Sequence, residues 1–297
     1  MREALRLAVV IGILQGVFEW LPVSSEGNVA LYLTVVEGLP EGAAVQYALF
    51  LHAGTALAAA VYYRDELGTV LRTLPDWGPG MAFADHDHAD VTFLLVATVA
   101  SGVVGIAAYL ALDAIVSAVA GGAFVALIGV LLVGTGVVQF AATRREAGAE
   151  TDGGTATAGT VGGGGLDTAF GEREVANVPD GLLVGVLQGL AILPGVSRSG
   201  TTVSALLLRG FEEEVAFRLS FLLSIPAALG AAALVLLDTG VPTIGPLPAA
   251  IALVTSAVVG YATIDGLMRL VRRVAFWLVC LLLGALAIVG GVFVGVV

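Results

Sequence analysis

LPVSSEGN, residues 21–28, sets a proline, two serines, a glutamate, a glycine and an asparagine between apolar runs on both sides. A lipid-facing segment has no use for such groups, because polar atoms in hydrocarbon are costly unless protein or trapped water satisfies them. Pro22 and Gly27 interrupt a helix. The arms, about 15 apolar-rich residues before the break and about 10 after it, are each too short to cross ~30 Å of hydrocarbon. The stretch therefore reads as the turn of a re-entrant hairpin over about residues 5–34, in which a helix enters the membrane, breaks at depth and returns.

The same pattern occurs twice. Laying GILQGVFEWLPVSSEG (12–27) over GVLQGLAILPGVSRSG (185–200) without gaps pairs Gly12, Leu14, Gln15, Gly16, Val23, Ser24 and Gly27 with Gly185, Leu187, Gln188, Gly189, Val196, Ser197 and Gly200. Seven identities in sixteen positions make an internal repeat and predict a second hairpin over about 179–209. Apolar runs long enough to span lie at 43–63, 91–112 and 118–142 after the first copy, and at 215–237, 247–264 and 274–297 after the second. Three crossings per half are odd, so the halves enter the membrane in opposite senses, a plan in which broken helices meet around a midplane site. The expected fold is an all-α polytopic membrane protein with six transmembrane helices and two re-entrant helical hairpins in inverted-topology repeats. The first repeat is 1–142, a flexible acidic Gly/Thr-rich linker is 143–178, and the second repeat is 179–297.

Composition agrees. Of 297 residues 58% are hydrophobic and 12% charged, and mean hydropathy is +0.98, outside the range of soluble domains. All thirteen basic residues are arginines, and the net charge is -11. The acidity lies in loops near 76–90 and 146–174, which suits a protein bathed in very high salt, and the absence of a basic face argues against nucleic acid as a partner. In the hairpin layout Arg64, Arg72, Arg144, Arg145, Arg173, Arg209, Arg218, Arg269, Arg272 and Arg273 share one face, against Arg2 and Arg6 on the other. The positive-inside rule makes the arginine-rich face cytoplasmic. Arg2 and Arg6 precede an apolar stretch, as in a signal peptide, but no small-residue cleavage site follows, so this segment is expected in the mature chain. The single Cys280 reads as a core residue, His52 lies in an apolar span, and His86 and His88 belong to ADHDHAD (84–90), for which a metal site is the alternative to the preferred reading as a solvated acidic loop.

The breaks carry complementary chemistry. Arg198 sits in a Ser-Arg-Ser-Gly-Thr-Thr run at an expected helix start, where free N–H groups and the positive dipole end also favour an anion. Its guanidinium fork and the hydroxyls of Ser197, Ser199, Thr201 and Thr202 suit phosphate. On the first break Gln15 and Glu19 are one helical turn apart, and Glu19 can hold Mg²⁺ or Ca²⁺ against a diphosphate or act as a base. Ser24 and Ser25 offer a nucleophile or a phosphate donor. A Glu19–Arg198 structural pair, serines and threonines that merely cap helices, and Glu26 as a helix-start carboxylate are the bland alternatives.

LQGVFEWLPVSSEGN and LPGVSRSGTT resemble the two signature motifs of the undecaprenyl-diphosphate phosphatase family, the bacitracin-resistance membrane proteins, and length and span number agree. The resemblance implies an enzyme that removes the terminal phosphate of a polyprenyl diphosphate. The monophosphate carrier is thereby recycled for envelope glycan assembly at the outer side of the cell membrane with divalent-cation help. It implies catalytic roles for Glu19, Ser25 and Arg198, with Ser24, Ser197 and Ser199 as their motif neighbours at the phosphate; the residues themselves add Asn28, Thr201 and Thr202 as phosphate contacts, and Gln15 and Glu26 beside Glu19 as candidate ligands of Mg²⁺ or Ca²⁺. Gln15 stands where the family usually has its first glutamate, and Asn28 where it usually has a histidine; Glu26 is a candidate replacement for the missing carboxylate. The expected partners are the bilayer and an undecaprenyl or dolichyl diphosphate, and a homodimer is compatible with this reading. A polyprenyl-phosphate translocase and a catalytically impaired lipid binder are the alternative functions.

Overall fold

The computed structural model describes residues 2–119, 121–152, 172–241 and 245–296. Within them the chain forms α1 (Arg2–Phe18), α2 (Ser25–Leu31, continued by a π-helical turn Tyr32–Val36), α3 (Glu41–Tyr62), α4 (Arg64–Thr73), α5 (His86–Ala118), α6 (Gly122–Asp152), α7 (Val178–Leu190), α8 (Arg198–Leu208), α9 (Glu213–Asp238), α10 (Pro246–Val271) and α11 (Phe276–Val296). The helices α3, α5, α6, α9, α10 and α11 are long and apolar enough to cross a membrane. The units α1–α2 and α7–α8 are helix, break and helix, with arms of 17 and 7 and of 13 and 11 residues. These lengths fit the expected hairpins.

Cross-links between helix ends define two faces. Gly121 N–H donates to Glu41 (2.6 Å) and the Tyr109 hydroxyl to Asp238 (3.0 Å), which puts the start of α3 and the ends of α5 and α9 together. The Tyr62 hydroxyl donates to Asp265 (2.5 Å), and Arg218 pairs with Asp90, on the opposite, arginine-rich face. Helix α1 runs parallel to α10 from the arginine-poor face, and α7 runs parallel to α5 from the arginine-rich one. The packing partners exchange as a two-fold axis requires: α1 on α10 and α7 on α5, with α3 against α9 and α6 against α11.

The repeated glycines make this pairing. A Cβ on Gly12 would lie 2.7 Å from Ala252 O and one on Gly16 2.9 Å from Ser256 O, while Gly185 and Gly189 would meet Ala97 O (2.5 Å) and Ser101 O (2.9 Å). Ala252, Ser256 and Gly260 on α10 thus repeat the spacing of Ala97, Ser101 and Gly105 on α5. Where lipid supplies no hydrophobic drive between helices, such close backbone approach is what holds them. Outward faces carry stripes such as Val99, Val103, Ile106 and Leu110 on α5, exposed from the fold and suited to acyl chains.

Three local readings change. Helix α6 runs to Asp152, into the stretch assigned to the linker, whose residues 153–171 lie outside the described ones. ADHDHAD is mostly helix, since α5 begins at His86: Asp85 caps it by accepting from His88 N–H (2.9 Å), and Asp90 binds Arg218. Arg64–Thr73, without a reading of its own, forms the surface helix α4 on the arginine-rich side.

The mouth of the second hairpin is pinned by Asp180, which receives Arg173 and Arg209 at 2.7 Å each and closes a capping box with Asn177. Burial works to raise the Asp180 carboxyl, but the hydrogen bonds from Arg173 and Arg209 outweigh it and hold the group below the usual carboxylate range. A depressed folded-state pKa gives stability that is present above the unfolded value and lost as pH falls through the folded one. Asp180→Asn is therefore expected to lower stability by about 1–3 kcal/mol at pH 7, with Arg209 partly solvated. In thermal melts against pH the gap to wild type should hold from neutral down to mildly acid pH and close only in strong acid.

Candidate active site

Both breaks are built by hydroxyls. Ser24 sits at φ 60°, in the left-handed region, and its Oγ accepts from Gly27 N–H and Gly195 N–H, each at 3.1 Å. Two donors from two halves of the chain hold a backbone that a non-glycine residue seldom adopts. Ser197 repeats the cap on Gly200 N–H at 3.1 Å. The breaks touch directly, since a Cβ on Gly27 would lie 2.7 Å from Gly195 N. The Pro22 carbonyl accepts from Gln139 Nε2 (2.7 Å) and Cys280 Sγ (3.1 Å), and the Trp20 indole donates to Gly260 O (2.9 Å), so the irregular backbone finds partners at depth.

Glu19, 5% exposed, is the centre of what these contacts assemble. Its Oε1 receives Arg198 Nη2 at 2.5 Å from the other half of the chain. Its Oε2 receives Gln15 Nε2 (2.8 Å) and Ser25 Oγ (3.0 Å), with His52 Nε2 at 3.4 Å. Arg198 also lies over the Phe221 ring, 5.3 Å from its centroid. Its second amino group, Nη1, is buried without a partner among the described residues, as are Gln15 Oε1 and Glu26 Oε1.

Glu26, His52 and Arg198 line the polar end of a cavity of about 370 Å³, with apolar walls that include Leu49, Ile106, Ala231 and Leu234. Its walls follow α5 from Thr98 to Ile106 and α9 from Ser224 to Leu234, away from the starts of both helices, and so toward the arginine-poor face. Such a space suits a small anionic head at the inner end and an apolar chain along the wall.

The sequence-predicted residues divide. Gln15, Glu19, Ser25 and Arg198 come together, and Glu26 joins them at the cavity. The remaining hydroxyls serve the backbone. Thr201 Oγ1 donates to Ser197 O (2.8 Å), and Thr202 Oγ1 donates to Arg198 O (2.8 Å) while sharing a bond with Ser220 (2.6 Å). Asn28 Nδ2 donates to Val23 O (2.7 Å) and Ser24 O (2.9 Å). Ser199 faces a second cavity of about 360 Å³ on the arginine-rich side, with Trp20 and Arg272. His52 is the residue sequence reasoning passed over. An ionisable group inside an apolar span was the available signal.

The residues named for a divalent cation do not form a cage for it. Both oxygens of Glu19 are taken by donors. Among the described residues no group of three or more His, Cys, Asp or Glu side chains is placed to hold an ion.

The family model described as bacitracin resistance protein BacA matches residues 8–289. The chain is 54% identical to an undecaprenyl-diphosphatase of Haloarcula marismortui, covering 97% of each chain. It is 34% identical to an undecaprenyl-diphosphatase of Methanococcoides burtonii, covering 95% of this chain and 96% of the relative. With one from Saccharolobus solfataricus it shares 32% identity over 96% of this chain and 95% of the relative.

Proposed function

The chain belongs to the bacitracin resistance protein BacA family, and from that premise we infer that it is a multi-pass membrane undecaprenyl-diphosphatase. It hydrolyses the terminal phosphate of a polyprenyl diphosphate and returns the monophosphate carrier. A translocase without chemistry is the less favoured reading, because the similar proteins bear a hydrolase name over the full length.

The observation that carries this reading is the divided guanidinium of Arg198. Nη2 is committed to Glu19, while Nη1 is a buried donor without a partner among the described residues, beside an apolar-walled cavity. A buried unpaired donor is costly, and a phosphoryl oxygen would satisfy it. In our account the terminal phosphoryl group lies between Arg198 and Ser25. Ser25 Oγ bonds to phosphorus as the bridging P–O bond breaks and the polyprenyl monophosphate leaves. The Ser25 proton passes to Glu19 Oε2, 3.0 Å away. Water then cleaves the phosphoserine, giving inorganic phosphate and restoring the hydroxyl. Arg198 stabilises charge on the transferring oxygens. Mg²⁺ or Ca²⁺ enters this scheme as the counter-ion of the diphosphate substrate. The isoprenoid tail, undecaprenyl or dolichyl, is met by apolar contact alone along α5 and α9. The cavity's direction toward the arginine-poor side supports an extracytoplasmic site. No second copy of the chain is required, since every group named comes from one.

Inorganic phosphate released from undecaprenyl diphosphate by the purified protein in detergent with Mg²⁺ tests the reading. Wild type should release it, and Glu19→Gln should lower turnover by about 10²–10⁴-fold through loss of the proton acceptor. Absence of release by wild type would overturn the assignment.

A further inference from the structure

We propose that His52 is the proton-transfer residue of this site, a catalytic group supplied by α3 and carrying the Ser25 proton between Glu19 and the cavity. The inference rests on the diphosphatase reading, in which Glu19 accepts that proton. Four groups surround the Glu19 carboxylate: Gln15, Ser25, Arg198 and His52. An amide is neither an acid nor a base at neutral pH, the guanidinium does not give up a proton, and Ser25 is the source. Of the four, imidazole alone both takes and gives a proton there.

The ring is already oriented. His52 Nδ1 lies 2.8 Å from Ala48 O, and a carbonyl only accepts, so Nδ1 carries the hydrogen. Nε2 is thereby left as the exchanging atom, and it is the one that faces Glu19 Oε2 at 3.4 Å. The peptide carbonyl fixes the ring as a carboxylate fixes histidine in catalytic triads. His52 also lines the cavity, with its side chain 14% exposed, so it reaches both the carboxylate and the substrate space.

The proton is accounted for at each step. It leaves Ser25 Oγ as that oxygen bonds to phosphorus and moves through Glu19 to His52 Nε2. It is then given to the oxygen freed when the bridging P–O bond breaks. In the second half His52 takes a proton from the attacking water and returns one through Glu19 to Ser25. Water is the only co-reactant. The charged or titratable groups facing His52 are Glu19 from the first break, Glu26 from α2 and Arg198 from α8; α5 and α9 present Thr98, Ser101 and Ser224 to the same cavity. Asn28 takes no part, since its amide is bound to Val23 O and Ser24 O.

The test compares phosphate release from undecaprenyl diphosphate by wild type, His52→Gln and His52→Ala between pH 5 and 9. We expect His52→Gln to lose about 10²–10⁴-fold in kcat with KM changed only a few-fold, and to lose one limb of the wild-type pH profile. Added imidazole should restore part of the turnover of His52→Ala, a readout that a packing role would not give and that decides the matter if His52→Gln does not fold. Wild-type turnover with an unchanged pH profile in His52→Gln overturns the proposal. So does a loss that leaves the profile's shape intact and that imidazole does not mend in His52→Ala. Absence of release by wild type removes the diphosphatase reading and this inference with it, whereas release that only His52 variants leave untouched removes the inference alone.

Discussion

Arg198→Ala is expected to lower phosphate release by about 10³-fold or more, because one guanidinium both fixes the carboxylate and stabilises the transferring phosphoryl oxygens. Part of the damage is structural. Glu19, 5% exposed, would lose the cationic fork beside it, and removing one partner of a buried ion pair costs about 3–5 kcal/mol. Arg198→Lys separates the two effects. It keeps the charge and should keep the fold, but the three donors of an ammonium all radiate from one nitrogen and cannot reproduce the two spaced amino groups with which the guanidinium fork holds Glu19 and meets phosphate. A loss of roughly 10²-fold is expected for lysine, measured as initial-rate phosphate release on protein whose melting temperature stays near that of wild type. Near-normal turnover in the lysine variant would show that the unpartnered Nη1 is not what binds the substrate.

The second large effect lies away from the chemistry. Gly189→Ala would press a methyl group to 2.7 Å from Val104 Cβ and 2.9 Å from Gly105 N, where α7 meets α5. Backbone cannot yield by that amount without moving a helix, and overpacking of this kind costs roughly 1–3 kcal/mol or more. Gly16→Ala does the same between α1 and α10, 2.8 Å from Gly260 N. Each variant should melt earlier in detergent and lose turnover as the two breaks separate. Gly266→Ala on α10 meets nothing within 4 Å among the described residues, and alanine favours helix, so it should melt at or above wild type. Equal behaviour of all three would deny the glycine crossings their role.

Much of this was legible in the sequence because it is written in patterns of long range. The six apolar runs match the six long helices within a few residues at most ends. The repeat that pairs Gly12 and Gly16 with Gly185 and Gly189 was visible in the sequence; that these glycines are where α1 meets α10 and α7 meets α5 is what the fold adds. The approach of Glu19 and Arg198 goes with the two breaks meeting, since a buried charge at depth is tolerable beside an opposite one.

What was not legible is local. Ser197, Thr201 and Thr202 read as phosphate contacts in the sequence, and the bonds they also make within their own helix turn, a cap from Ser197 and back-bonds from the two threonines, are local geometry that the run of hydroxyls does not spell out. His52 has no motif around it. Its importance comes from the angle at which α3 passes the first break, which no pattern within α3 records. The acidic run 84–90 looked like a loop because its charges hide a helix start, although Asp85 followed by a helical turn is an ordinary cap.

The central claim is that residues 179 positions apart, Glu19 and Arg198, act as one unit across the junction of the two halves. A double-mutant cycle on phosphate release, with Glu19→Gln, Arg198→Lys and the pair together, tests it most directly. If the two side chains form one device, the double variant loses little more turnover than the worse single one. If the losses multiply in full, the residues work independently, and the single site formed by the two breaks is contradicted.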